Sequence, residues 1–245
     1  MRICKIHGYR SERIIIIMKR RSKRYKLILK SSQKGKKIDT KEIFELVKKN
    51  STLKFDESID VSLRINLKQT KGGDFSLRTT VNLPNGSGKK NKIAVLCEAD
   101  KVDEAKKAGA DVFGSDDLLE KIAAGKFNFT KLICTPAMMG KIGKHGKVLG
   151  PKGLMPNPKL GTVSSDITKS VNDIRKGLVE IRNDKDGNLS STIGRKSFSS
   201  EKLLENYKHF IDSVKKEKPD TIKGEFIKSA FITSTMGISY KLGAK

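Results

Sequence analysis

Five lysines, Lys141, Lys144, Lys147, Lys152 and Lys159, fall in one stretch, KIGKHGKVLGPKGLMPNPKLGTV, that holds no carboxylate. Like charges at that density oppose one another unless a polyanion neutralises them. The whole chain agrees, with Lys+Arg 52 against Asp+Glu 27 and a formal net charge of +25 over 245 residues. The chemistry on offer is neutralisation of phosphate, which points to nucleic acid. Gly150, Gly153 and Gly161 permit close approach, while Pro151, Pro156 and Pro158 restrict the backbone. The stretch therefore reads as a shaped basic loop, with Leu149, Leu154 and Met155 as its apolar anchors.

Other chemistries find no support. A phosphate loop needs Gly-Lys-Ser or Gly-Lys-Thr, but Gly146-Lys147 is followed by Val148. A dinucleotide fingerprint needs glycines after the first parallel strand, where Cys97-Glu98-Ala99 stands instead. Three histidines and the scattered Cys4, Cys97 and Cys134 form no nucleophile–base set and no metal-ligand spacing. Asp116 and Asp117 suit a helix start, and Asp184 and Asp186 suit a turn. No catalytic residue, cofactor or metal is expected. With aromatics at 6% and no Trp, a base-stacking platform is excluded too. The apolar run from Ile14 to Met18 is too short to span a membrane, and the unpaired cysteines suit a reducing compartment.

The elements that must position such residues follow from periodicity. Residues 1–35 read as a basic N-terminal extension that orders on phosphate, with Met1 and Met18 both open as the start. A helix is expected over 41–49, with Asp39 and Glu42 at capping-box spacing. Two alternating strands, Ile59–Leu67 and Phe75–Leu83, are expected to pair as a hairpin through Gly72-Gly73. From Lys92 the rhythm changes to short apolar strands at 93–97, 111–113 and 131–134, separated by helices ending at Gly109 and Gly125. After Thr162 come a helix over 165–176, strands through Val179 and Ile193, a helix over 201–217 and a strand over 226–234. The expected fold is α/β with two domains. A split α+β first domain (36–89 and 161–245) receives an inserted Rossmann-like α/β domain (90–160).

Several stretches together resemble the ribosomal protein L1 family of the large subunit. They are KFDESID from Lys54, TVNLPNGSGK from Thr80, GADVFGSDDLLEKI from Gly109, GKVLGPKGLMPNPKLGTV from Gly146, IGRKSF from Ile193 and STMG from Ser234. The resemblance covers the chain from Met18 onward. It implies a split first domain that binds a folded segment of large-subunit rRNA, the mobile stalk near the tRNA exit site. Carried over by motif, Lys54, Phe55, Glu57, Ser58, Lys185, Ser234, Thr235, Met236 and Gly237 belong to that RNA-binding surface. The implied partners are stalk rRNA, exit-site tRNA, other ribosomal proteins and the chain's own messenger, since the family includes repressors. No membrane partner is implied, and the chain is expected as a monomer within the ribosome.

Under the resemblance Lys144, Lys147, Lys152 and Lys159 lie in the second domain and are expected to face tRNA or to shape the loop. Ser58 stands where relatives carry Thr, Ser190 where many carry His, Ala137 where they carry Asp and Ile238 where bacterial members carry Pro, which should loosen that end. These departures incline the source slightly toward a plastid over a bacterial cytoplasm. A free RNA chaperone or repressor is the competing function, and a nucleotide-dependent α/β enzyme a weaker one.

Overall fold

Alternation of side chains decides the largest layer. The computed structural model describes residues 22–31, 39–66, 77–125, 127–219, 222 and 224–243. In strand β1 (Ser58–Ile65), Ile59, Val61, Leu63 and Ile65 are buried, while the residues between them face outward. Inward residues of β7 (Asn188–Arg195) and β8 (Ile227–Ser234) match them, and β9 (Tyr240–Leu242) completes an antiparallel sheet ordered β7-β1-β8-β9. β9 was not foreseen from the sequence. One face of this sheet is closed by α2 (Thr40–Asn50), through Ile43, Phe44 and Val47, and by α8 (Ser200–Lys216), through Leu203, Tyr207, Phe210 and Val214. Period-3.6 stripes on both helices make that contact possible. Ser199 caps α8 by accepting from the Lys202 N–H at 3.3 Å, whereas Asp39 precedes α2 without a side-chain cap bond.

The expected hairpin of the first two long strands does not form. β1 pairs with β7 and β8, and β2 (Arg78–Asn82) pairs with β6 (Leu178–Arg182) in a separate two-stranded ribbon. The Gly72-Gly73 turn lies outside the described residues. Alternation specifies which face a strand buries but not its neighbour, and β1 takes the central position with partners on both edges.

A second correction concerns the N-terminal arm. Lys23–Ser31 is a helix, α1, and Ile28 sits in the same core as Phe44 and Phe210, with Tyr25 and Leu29 packed against it. Apolar residues at 25, 28 and 29 give it one sticky face amid its lysines. The rest of residues 1–35, and the strand ends at 67 and 75, fall outside the described residues.

The parallel sheet is ordered β4-β3-β5, from Val112–Gly114, Ile93–Leu96 and Lys131–Cys134. All four residues of β3 are buried, as expected of a strand covered on both faces. On one face, Ala94, Leu96, Leu132 and Cys134 meet Leu118, Leu119 and Ile122 of α4 (Asp116–Ala123). On the other, Ile93, Val95 and Ile133 meet Ala105 of α3 (Val102–Lys107) and Ile167, Val171 and Ile174 of α7 (Ile167–Lys176). This packing runs on in sequence to Ile174.

The chain leaves α7 at Gly177, whose φ of 110° suits only glycine and where a Cβ would lie 2.6 Å from the Gly86 Cα. Asn206, fully buried on α8, fixes the neighbouring loop. Its Nδ2 donates to Gly86 O at 3.0 Å and Ile193 O at 2.7 Å, and its Oδ1 accepts from the Asn85 N–H at 3.1 Å.

Candidate nucleic-acid interface

The residues before β1 are tied down one by one. Asp56 accepts from the Ser197 N–H at 3.1 Å and from its hydroxyl at 2.9 Å, while Arg195 Nη1 donates to Asp56 O at 3.1 Å. The Lys196 N–H donates to Glu57 O at 2.9 Å. Glu57 itself is fully buried, and its Oε2 accepts from the Met236 N–H at 3.2 Å. With Asp56 and Glu57 held, Lys54 is left exposed and Phe55 keeps half its surface in solvent, at 50%. A phenyl ring in that position costs hydration unless something covers it.

The other chain end is bound to this one directly. The Thr235 N–H donates to Ser58 O at 3.1 Å, the Ser58 N–H donates to Thr235 Oγ1 at 3.0 Å, and the two hydroxyl oxygens lie 2.9 Å apart. Ser234 is buried and Met236 projects with 53% exposure. At Gly237 a Cβ would lie 2.2 Å from Ser234 Oγ, so a larger residue there would force the Ser234 hydroxyl to turn away. Ile238, expected to loosen this end, is instead buried in the main core. Ser58, Glu57, Ser234, Thr235, Met236 and Gly237 thus form one junction between segments about 180 residues apart, with Phe55 and Lys54 at its lip.

Lys185 is not brought to that junction. It is exposed in the turn before β7, where the Gly187 carbonyl accepts from the Ile65 N–H at 2.8 Å. That is the opposite end of β1 from Ser58, a separation of about 23 Å at roughly 3.3 Å per residue.

Between the two ends lies the open face of the four-stranded sheet, which sequence reasoning missed. Register aligns Thr192, Asp60 and Thr233 in one row, Ser190, Ser62 and Phe231 in the next, and Asn188, Arg64 and Ser229 in a third. Thr192 donates to Asp60 Oδ1 at 2.7 Å, and the Ser62 and Ser190 hydroxyl oxygens lie 3.1 Å apart. Hydroxyl oxygens keep further acceptor capacity beyond these bonds, which suits contacts with 2′-hydroxyls. The signal was present in the polar half of each alternating strand.

The basic stretch is only partly the loop expected, irregular over residues 150–157. It is folded into α5 (Met139–Gly143), α6 (Gly146–Leu149) and a 3-10 turn at Pro158–Leu160. Leu149 is buried under α4, with Leu154 and Met155 packed alongside as anticipated. Lys144, Lys147, Lys152 and Lys159 are all exposed. Lys152 lies over the Phe127 ring at 3.8 Å and Lys141 pairs with Asp116 at 2.7 Å, so part of this charge is already engaged.

Among the described residues burial moves four titrations, none of them at a residue of the junction. Burial raises the Cys134 thiol to about 11 and the Tyr207 phenol to about 12. It also raises Cys97, helped by Glu104, and Tyr240, where a hydrogen bond from Asn50 partly opposes it. Among the described residues no group of three or more His, Cys, Asp or Glu could hold a metal ion, and no helix is long and apolar enough to cross a membrane.

The sequence model of the ribosomal protein L1p/L10e family matches residues 47–238. The chain is 54% identical to the large ribosomal subunit protein uL1 of Pelagibacter ubique over 222 residues, covering 90% of this chain and 96% of that protein. It is 46% identical to the protein of the same name from Bifidobacterium adolescentis, over 89% of this chain and 95% of that one. For the Thermosipho melanesiensis protein of that name the identity is 45%, over 92% and 97%.

Proposed function

Since the chain belongs to the ribosomal protein L1p/L10e family, we propose that it is a structural protein of the large ribosomal subunit that binds rRNA of the mobile stalk. As a member of a ribosomal protein family it is not an enzyme. The observation carrying the reading is the Ser58–Thr235 junction, which leaves Phe55 and Met236 half exposed at one end of a hydroxyl-bearing sheet. A surface of that kind reads RNA by shape, 2′-hydroxyls and phosphates, with the apolar pair lying against ribose or base in a shallow minor groove. The surrounding excess of lysine supplies affinity and salt dependence.

In this reading the antiparallel sheets with α1, α2 and α8 form an RNA-binding domain carrying both chain ends. The parallel sheet and its helices form an inserted Rossmann-like domain. The separate cores on the two sheets support that division, and the packing of α7 on the parallel sheet favours a return near Gly177. The inserted domain presents Lys144, Lys147 and Lys159 toward exit-site tRNA and assists its release. Binding to a stalk-like fold in the chain's own messenger would use the same junction. The relatives described above are bacterial, which lends no support to a plastid source.

Sedimentation tests the assignment. Large subunits washed in high salt should retain the chain at about one copy each. Release of the chain into the supernatant, with full RNA binding kept by the free protein, would favour a repressor or chaperone instead.

A further inference from the structure

The N-terminal helix α1 was expected as an arm, and the known motifs assign it nothing. It nevertheless touches the junction at one residue. Arg24 Nη2 donates to Met236 O at 2.8 Å, across 212 residues of sequence. The opposite side of the same residue's backbone is held by Glu57, whose Oε2 accepts from the Met236 N–H at 3.2 Å. Met236 is therefore gripped at its N–H by a buried carboxylate and at its carbonyl by a guanidinium. Both grips are charge-assisted, the stronger kind of hydrogen bond. Arg24 Nη1 and Glu57 Oε1 are both buried and make no further bond among the described residues, so neither side chain is committed elsewhere.

The helix is not free to leave. Ile28, one turn on, is in the core, and its cost of exposure holds Arg24 against the turn. Between helix and turn lies an open cavity of about 400 Å³ lined by Ser22, Arg24, Tyr25, Thr235, Met236 and Gly237. One wall is the turn carrying the exposed Met236 side chain, and the other is α1.

Resting on the rRNA reading above, we infer that α1 is a working wall of the RNA surface. Arg24 is its positioning residue, fixing the Met236 backbone so that the Met236 side chain and the cavity beside it meet one nucleotide of the bound RNA. With its Nη1 buried and its Nη2 donating to Met236 O, the Arg24 guanidinium is directed at the turn, and its assigned role is to act through it. A turn fixed before binding loses less freedom when RNA arrives, which is how such a clamp raises affinity.

The test is a double-mutant cycle on the full chain, with a stalk rRNA fragment of the large subunit as the probe. Arg24→Ala should weaken binding about tenfold in the otherwise unchanged chain. In a Met236→Ala background it should weaken it less than about threefold, because the side chain it positions is already gone. The slope of log affinity against log salt should stay the same for Arg24→Ala.

Additive effects of the two substitutions would overturn the inference, and so would an unchanged affinity. A slope reduced by about one would overturn it as well, since that marks a lost phosphate contact. Arg24→Lys, which keeps charge and a donor, guards against misfolding of the alanine variant. It should fall between wild type and Arg24→Ala with an unaltered slope. Failure of the wild-type chain to bind the fragment would sink the rRNA reading together with this one. Binding by wild type with no coupling would sink only the role of α1.

Discussion

The basic stretch from Lys141 to Val163 and the junction of residues 54–58 with 234–237 make opposite use of sequence. The first is conspicuous by charge, yet two of its lysines are occupied by Asp116 and Phe127 within the fold. The second lies in two separate strings, and becomes a candidate site only when hydrogen bonds between Ser58 and Thr235 join them. Charge density measures how strongly a polyanion is attracted to the chain as a whole. Where a structured RNA is read depends on fixed donors, acceptors and apolar edges.

The largest effect is expected outside both regions, where the end of α7 packs against the loop at Gly86. Gly177→Ala should produce the largest effect, because it combines a φ of 110° with a 2.6 Å approach to backbone of Gly86. A loss of roughly 2–4 kcal/mol in urea unfolding is expected. An unchanged midpoint would mean that the crossing is not tightly packed.

Thr235→Val sharpens the junction's side. It removes the hydroxyl that accepts from the Ser58 N–H and faces the Ser58 Oγ while keeping the volume. RNA binding should fall by about fivefold to tenfold, with about 1–2 kcal/mol attached to the lost bonds. Titration of a stalk fragment reads it, and unaltered affinity would separate the junction from binding.

A smaller effect is expected on the open sheet face. Arg64→Ala should lower affinity about threefold and reduce the salt slope by about one, if the guanidinium meets a phosphate. The same slope after substitution would leave that face outside the footprint.

The smallest effect near neutral pH concerns the cores. Burial raises Cys134 to about 11 and Tyr207 to about 12, so the folded chain holds protons that the unfolded chain releases at lower pH. The associated stability is complete below the ordinary thiol value near 9 and is lost as pH rises through about 11. The parallel sheet should therefore loosen before the antiparallel one on alkaline titration followed by hydrogen exchange. At pH 8 the native thiols Cys97 and Cys134 should resist alkylation.

Much of the fold was legible because periodicity is local. Ile43, Phe44 and Val47 on α2 and the unbroken apolar run of β3 declared their burial outright. Pairing was not legible, since β1 could offer the same inward face to any neighbour, and it chose β7 and β8 over β2. The three core-facing residues of α1, Tyr25, Ile28 and Leu29, were masked by lysines at 23, 26 and 30. The Lys54–Ser58 end of the candidate site came from motif resemblance, not from any pattern in the residues themselves. Its middle, with Ser62, Ser190 and Thr192, was readable only once register had aligned them.

The central claim is that shape at the junction, more than charge in the basic stretch, recognises stalk RNA. The most direct test compares two variants on one large-subunit stalk fragment at a single salt concentration. Phe55→Ala with Met236→Ala should weaken binding by about a hundredfold, at roughly 1–2 kcal/mol for each truncated side chain. Lys144→Ala, Lys147→Ala and Lys159→Ala together should weaken it by less than about threefold. The reverse order, with the lysine variant the more damaged, would contradict the account.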